Sequence, residues 1–179
     1  MQRKLKKFVP YRRKINGRTN YRKRLKLLVS GSPRLVIRKT NKNIIAQVVK
    51  YSEDGDNVII SVNSSELKKH GWTHATGNLP AAYLTGLLAG KKSLEKKTDS
   101  AIVDLGLQTP ATGSRLYAVV KGAIDAGMSI PCADDAFPSE ERLTGKHIAD
   151  YSKVSKQFKN DASAITKSFE DVKKKILKK

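Results

Sequence analysis

Three features of the chain predict an α/β fold on a mixed sheet. Residues 34–51, RLVIRKTNKNIIAQVVKY, read as two strands around a polar turn. A third β-rich run, residues 58–62, follows a short acidic turn, so the three strands are expected as an antiparallel meander. A long helical pattern then precedes a fourth β-rich run, residues 101–105, and a strand reached through a crossover helix pairs in parallel. The expected organisation is a basic arm (1–30), a core of three meander strands plus one parallel strand (31–137), and a helical C-terminal extension (138–179).

In chain order, the arm comes first. It carries twelve Lys and Arg residues with Phe8, Tyr11 and Tyr21 interleaved. Pro10 and Asn16-Gly17 break its first part, which predicts an extended course. Thr19 is placed to cap a short helix over residues 20–29, with Leu25, Leu28 and Val29 as a thin apolar edge. Twelve like charges this close repel, so disorder is expected until a partner neutralises them.

Gly31-Ser32-Pro33 separates arm from core. The hairpin strands are 35–39 and 44–51, with Thr40-Asn41-Lys42-Asn43 supplying the turn. Glu53-Asp54-Gly55-Asp56 turns the chain into the third strand. Residues 63–77 are polar and read as irregular. Asn78 caps a helix that has Pro80 in its first turn and runs to about Lys96. Leu79, Ala82, Tyr83, Gly86, Leu87, Gly90 and Leu94 keep helical spacing, and Gly86 and Gly90 predict a close approach of this helix to the sheet. After the fourth strand, residues 115–126 form a second helix with Leu116, Val119, Val120, Ala123 and Ile124 inward, ended by Gly127. Ile130-Pro131-Cys132 reads as a last short strand. Ser139 caps a polar helix running to about Lys159, and Asp161 caps a final one. There Ile165, Phe169, Val172 and Ile176 make a stripe that needs a surface to pack on.

The charge pattern points to the partner. The net charge is +20 over 179 residues. Residues 1–52 hold seventeen Lys and Arg and no acid, residues 53–150 are slightly acidic, and residues 151–179 are basic again. An acid-free arm ahead of a hairpin whose charges are all positive predicts a polyanionic partner. Guanidinium and ammonium groups neutralise phosphates and Tyr rings stack on exposed bases, which suits RNA loops and ends. If about five phosphates are contacted, affinity should fall a few hundredfold between roughly 50 and 200 mM salt.

Other chemistries are disfavoured. The single cysteine, Cys132, permits no intrachain disulfide. No apolar run approaches the roughly 18 residues of a membrane span, and no h-region follows the N-terminal charges. Residues 86–93, GLLAGKKS, brush against a phosphate-cradling loop. The spacing is one residue short, and the Gly-Lys pair falls late in a helix, where the dipole repels phosphate. His70, His74, His147 and Cys132 do not make a four-ligand zinc pattern. No G-x-S-x-G elbow occurs. A metal-dependent nuclease would need gathered carboxylates, and Asp54, Asp56, Asp104 and Asp125 are the candidates. The first strand offers Arg34 and Arg38 where such a sheet would carry an acid. No catalytic residue, cofactor, metal or small-molecule substrate is expected. The alternative readings are a nuclease and a general nucleic-acid-compacting protein.

Four blocks carry a resemblance: TNYRKRLKLL (19–28), RLVIRKTNKNIIAQ (34–47), KGAIDAG (121–127) with Ile130-Pro131, and RLTGKHIA (142–149). In order and spacing they resemble archaeal-type large-subunit ribosomal protein eighteen, the 5S rRNA-binding family whose eukaryotic counterpart is ribosomal protein L-five. The resemblance implies a ribonuclease-H-like sheet without catalysis. It implies binding of 5S rRNA by arm and hairpin, and attachment of that RNA to the large-subunit (23S-type) rRNA in the central protuberance. The expected neighbours there are other ribosomal proteins, including L-five of the bacterial and archaeal nomenclature, and the expected location is the cytoplasmic ribosome. By motif, Tyr21, Arg22, Lys23, Arg24, Arg34, Arg38, Lys39 and Lys42 are the RNA contacts. Arg3, Lys4, Lys7, Tyr11, Arg12, Arg13, Lys14 and Arg18 join them on charge and aromatic interleaving. Cys132-Ala133 stands where many members carry His-Ser, and Ala126 where Gly is common, so no contact is carried over to the 130s loop.

Overall fold

The structure, a computed structural model, describes residues 9–154 and 164–178. The expected meander is present. Strands β1 (Arg34–Lys39), β2 (Ile44–Ser52) and β3 (Gly55–Asn63) are antiparallel neighbours. Strand β4 (Ile102–Asp104) pairs in parallel with β1, giving the order β3-β2-β1-β4. The period of two sends Leu35, Ile37, Ala46 and Val48 to one face, where all are fully buried. Val48 faces Ile60 and Val49 faces Val58, so Ile59 is an extra residue in β3. That bulge reverses the alternation, keeping Ile60 in the core while Val58 lies with Val49 on the opposite face.

Helix α3 (Leu79–Glu95) lies against the core face of the sheet. Asn78 caps it by accepting from the Ala81 amide at 2.9 Å, as its position predicted. Every residue from Leu79 to Gly90 is buried, because α3 is also covered by α4 (Arg115–Asp125) and by the C-terminal helices. A helix apolar all round belongs at the centre of a domain. Leu94, expected on its buried face, is 38% exposed.

The glycines of α3 serve a different contact from the one expected. A Cβ at Gly86 would collide with the carbonyl of Val119, and one at Gly90 would press on Ala123 and Ala126. Gly122 of α4 reciprocates, facing the carbonyl of Tyr83. The close approach is therefore between two helices and not onto the sheet.

Further differences have local causes. Residues 64–70, expected to be irregular, form a 3-10 helix (Ser64–His70) with a reciprocal cap. The Ser65 amide donates to Asn63 Oδ1 at 2.9 Å, and the Asn63 amide donates to Glu66 Oε1 at 3.0 Å. Residues 130–132 do not form a strand, and only an isolated parallel bridge between Ser100 and Ser129 occurs there. The polar helix expected after Ser139 is two helices, α5 (Glu140–Thr144) and α6 (Lys146–Val154). Gly145 separates them in a left-handed conformation, φ +83°. The rest of that expected helix and the Asp161 cap lie outside the described residues. Helix α7 (Ile165–Lys178) buries Ile165, Phe169, Val172 and Ile176 against α3, α5, α6 and the 3-10 helix, so its stripe belongs to this core.

Candidate nucleic-acid interface

Helices cover one face of the sheet. The other face carries Arg34, Val36 and Arg38 from β1, Gln47 and Val49 from β2, and Val58 from β3. Between this face, the arm and the loop after β4 runs a groove of about 590 Å³. Its floor is apolar and its rim is cationic.

The first part of the arm, expected to be extended, holds a short helix, α1 (Arg12–Ile15), and the helix expected over residues 20–29 is present as α2 (Tyr21–Leu28). Asn20, not Thr19, caps α2, accepting from the Lys23 amide at 3.1 Å. Thr19 Oγ1 instead accepts from Arg13 Nε at 2.8 Å and ties α1 to the start of α2. The rings of Tyr11 and Tyr21 lie 4.8 Å apart at 35°, so these two aromatics face each other.

An ion-pair chain fastens the arm to the sheet. Arg24 donates from Nη1 and Nη2 to the two oxygens of Asp56 at 2.8 and 2.9 Å. Arg34 places Nη2 2.8 Å from Asp56 Oδ2 and donates from Nη1 to Asp104 Oδ2 at 2.8 Å. The sequence of charges is Asp104, Arg34, Asp56, Arg24, and bidentate Arg–carboxylate geometry makes the outer link directional. The hydrogen bonds from Arg24, with the nearby Arg34 charge, hold the Asp56 carboxyl below the usual Asp range. The same hydrogen bonds raise the Arg24 guanidinium further. Lys23 Nζ adds a donor bond to the Gly106 carbonyl at 3.2 Å.

The loop after β4 completes the site. β4 ends at Asp104, opposite Val36, so β1 continues with no strand on that side, while β2 still pairs with its other edge. Gln108 takes that place, donating from Nε2 to the Ile37 carbonyl at 2.8 Å and accepting from the Lys39 amide at 3.2 Å. At the hairpin turn, Thr76 Oγ1 donates toward the Lys42 carbonyl and Asn43 Oδ1, both at 2.8 Å, which fixes the turn bearing Lys42.

The expected contact residues therefore divide. Arg13, Arg18, Lys23, Arg38 and Lys39 border the groove, and Tyr11, Arg12, Lys14, Arg22 and Lys42 are exposed but do not line it. Arg24 is engaged by Asp56. Arg34, expected as an RNA contact, is 3% exposed and committed to two carboxylates, so its position suits holding the sheet and arm together. Arg3, Lys4 and Lys7 lie outside the described residues. Asp56, Gln108 and Gln47 were not singled out for this site. An acid in a turn and two glutamines have ample local explanations, and only the register brings them to one face.

Three of the four carboxylates considered for a nuclease are otherwise employed. Asp56 and Asp104 share Arg34, and Asp125 accepts from the Tyr83 hydroxyl at 2.7 Å and pairs with Lys121. Among the described residues, no group of three or more His, Cys, Asp or Glu is placed to hold a metal ion, and no helix is long and apolar enough to cross a membrane.

A family model described as "Ribosomal large subunit proteins 60S L5, and 50S L18" matches residues 6–102. The match covers more than half of the chain and takes in the arm, the meander and α3. The chain belongs to this family of large-subunit ribosomal proteins.

Proposed function

We propose that this large-subunit ribosomal protein binds 5S rRNA through its arm and the open sheet face. It thereby helps attach that RNA to the large-subunit rRNA in the central protuberance of the cytoplasmic ribosome. Neighbouring ribosomal proteins, L-five among them, are its protein partners, and it performs no catalysis. One observation carries the reading. Cations of the arm (Arg13, Arg18, Lys23) and of β1 (Arg38, Lys39) border a single groove, and among the described residues the only acids lining it, Asp56 and Asp104, are already neutralised by Arg24 and Arg34. Such a surface suits phosphates without repelling them. The strand order β3-β2-β1-β4, with β4 parallel to β1, supports the ribonuclease-H-like topology that the resemblance implies.

The test is a filter-binding titration against 5S rRNA and an unrelated structured RNA of equal length over a salt series. A preference for 5S rRNA that persists as salt rises is expected, because nonspecific phosphate attraction fades with salt. Equal affinities falling together would leave a general nucleic-acid-compacting protein in its place.

A further inference from the structure

The floor of the groove is unlike a plain phosphate track. Val36, Val49 and Val58 give it an apolar surface, and Val58 is 53% exposed. Phosphate needs no such surface; the flat face of a base does. One polar atom at the floor also lacks a partner. Gln47 donates from Nε2 to Ser61 Oγ at 3.1 Å, and no bond among the described residues engages its Oε1.

We propose that the groove is a subsite for one unpaired nucleotide of a single-stranded RNA segment. This rests on the RNA-binding reading above and adds what kind of RNA element enters. The base lies on the three valines. Its edge donates to Gln47 Oε1, a bond open to a base because base edges carry amino and imino donors. The flanking phosphates meet Arg13, Arg18 and Arg38 at the rim. A base held in a duplex cannot take this position, because its pairing edge is occupied. About 590 Å³ lies within the range of sites that enclose a compact ligand. The charge agrees too: the rim cations face the solvent, while the two acids of the groove are spent on arginines.

The experiment uses the full chain and a fluorescent RNA hexanucleotide of mixed sequence, single-stranded or annealed to its complement, at moderate salt. The single strand is expected to bind more tightly than the duplex. Gln47→Leu should weaken the single strand about tenfold, the loss of one hydrogen bond with its partner left unsatisfied, and leave the duplex unchanged. Val58→Glu, which places a carboxylate on an exposed part of the floor, should do the same, and thermal unfolding checks that both variants fold. Equal binding of single strand and duplex, or wild-type affinity in both variants, overturns the proposal. Failure of the 5S reading looks different: the hexanucleotide would still bind, but 5S rRNA would show no preference at high salt. Chemical probing of bound 5S rRNA gives a second readout. An unpaired base whose pairing edge is shielded by the wild type and exposed again with Gln47→Leu supports the subsite. Unchanged reactivity of every unpaired base in a formed complex overturns it.

Discussion

Arg34 and Asp104 meet across the parallel β1–β4 pair, Nη1 to Oδ2 at 2.8 Å, with the arginine side chain 3% exposed and the aspartate side chain 14% exposed. Arg34 lies opposite Ile102 and Asp104 opposite Val36, so the two charges are diagonal neighbours on the open face. The same guanidinium reaches Asp56 at the start of β3 and thereby joins both edges of the sheet.

Removing Arg34 leaves two carboxylates without their buried cation. Breaking a buried pair from one side costs about 3–5 kcal/mol. Arg34→Ala should therefore destabilise the fold by about 3 kcal/mol, read by urea unfolding. A variant within experimental error of wild type would show that Arg34 is an ordinary surface contact.

Asp56→Asn removes the anchor of the arm more than it removes stability. The Arg24–Asp56 pair is only partly shielded, with side chains 28% and 29% exposed, so the loss should stay within about 1 kcal/mol. Limited trypsin digestion should cut after residues 13–26 markedly faster in the variant. The pH dependence follows from the sign of the shift. The folded-state pKa of Asp56 is depressed, chiefly by the hydrogen bonds from Arg24, so its contribution is present above the ordinary value of 3.8 and is lost as pH falls through the lower folded value. Trypsin cannot report in acid, so arm release should be followed there by the fluorescence of a dye on the arm. It should begin only below about pH 4.

Gly122→Ala tests the contact between α3 and α4. Alanine is the better helix former by about 1 kcal/mol, yet its Cβ would strike the Tyr83 carbonyl, which is backbone and cannot swing aside. A net destabilisation of about 2–3 kcal/mol is expected on thermal or urea unfolding. A stabilised variant would mean that the two helices are free to separate.

Under the proposed function, exposed cations and internal ones should behave differently. Arg18→Ala and Arg38→Ala each remove one phosphate partner and should lower the salt slope of log Kobs by about 0.7–0.9. Asp56→Asn should leave the number of phosphate contacts intact and change affinity through arm placement. Identical salt slopes in all variants would remove the groove from the RNA interface.

Much of this molecule was legible in its residues. Alternating Val and Ile runs with short turns imply a meander, since a period of two and a two- to four-residue connection leave little choice of partner. The acid-free first 52 residues imply a polyanion, because charge of one sign acts at a distance whatever the fold. Asn78 and Pro80 mark the start of α3 for local reasons, a side-chain acceptor and a fixed φ. Other features depend on which elements meet. Gly86 could lie against a sheet or a helix, and only the packing of α4 selects the helix. Arg34 reads like any strand-end cation until the register sets Asp104 of β4 and Asp56 of β3 beside it, whereupon burial and pairing change its role. Gln108 matters only because β4 ends three residues before β1 has used its edge. Local propensity and net charge are properties of neighbours along the chain and can be read from it. Partner choice for a glycine, an arginine or a glutamine is a property of neighbours in space, fixed by register and packing.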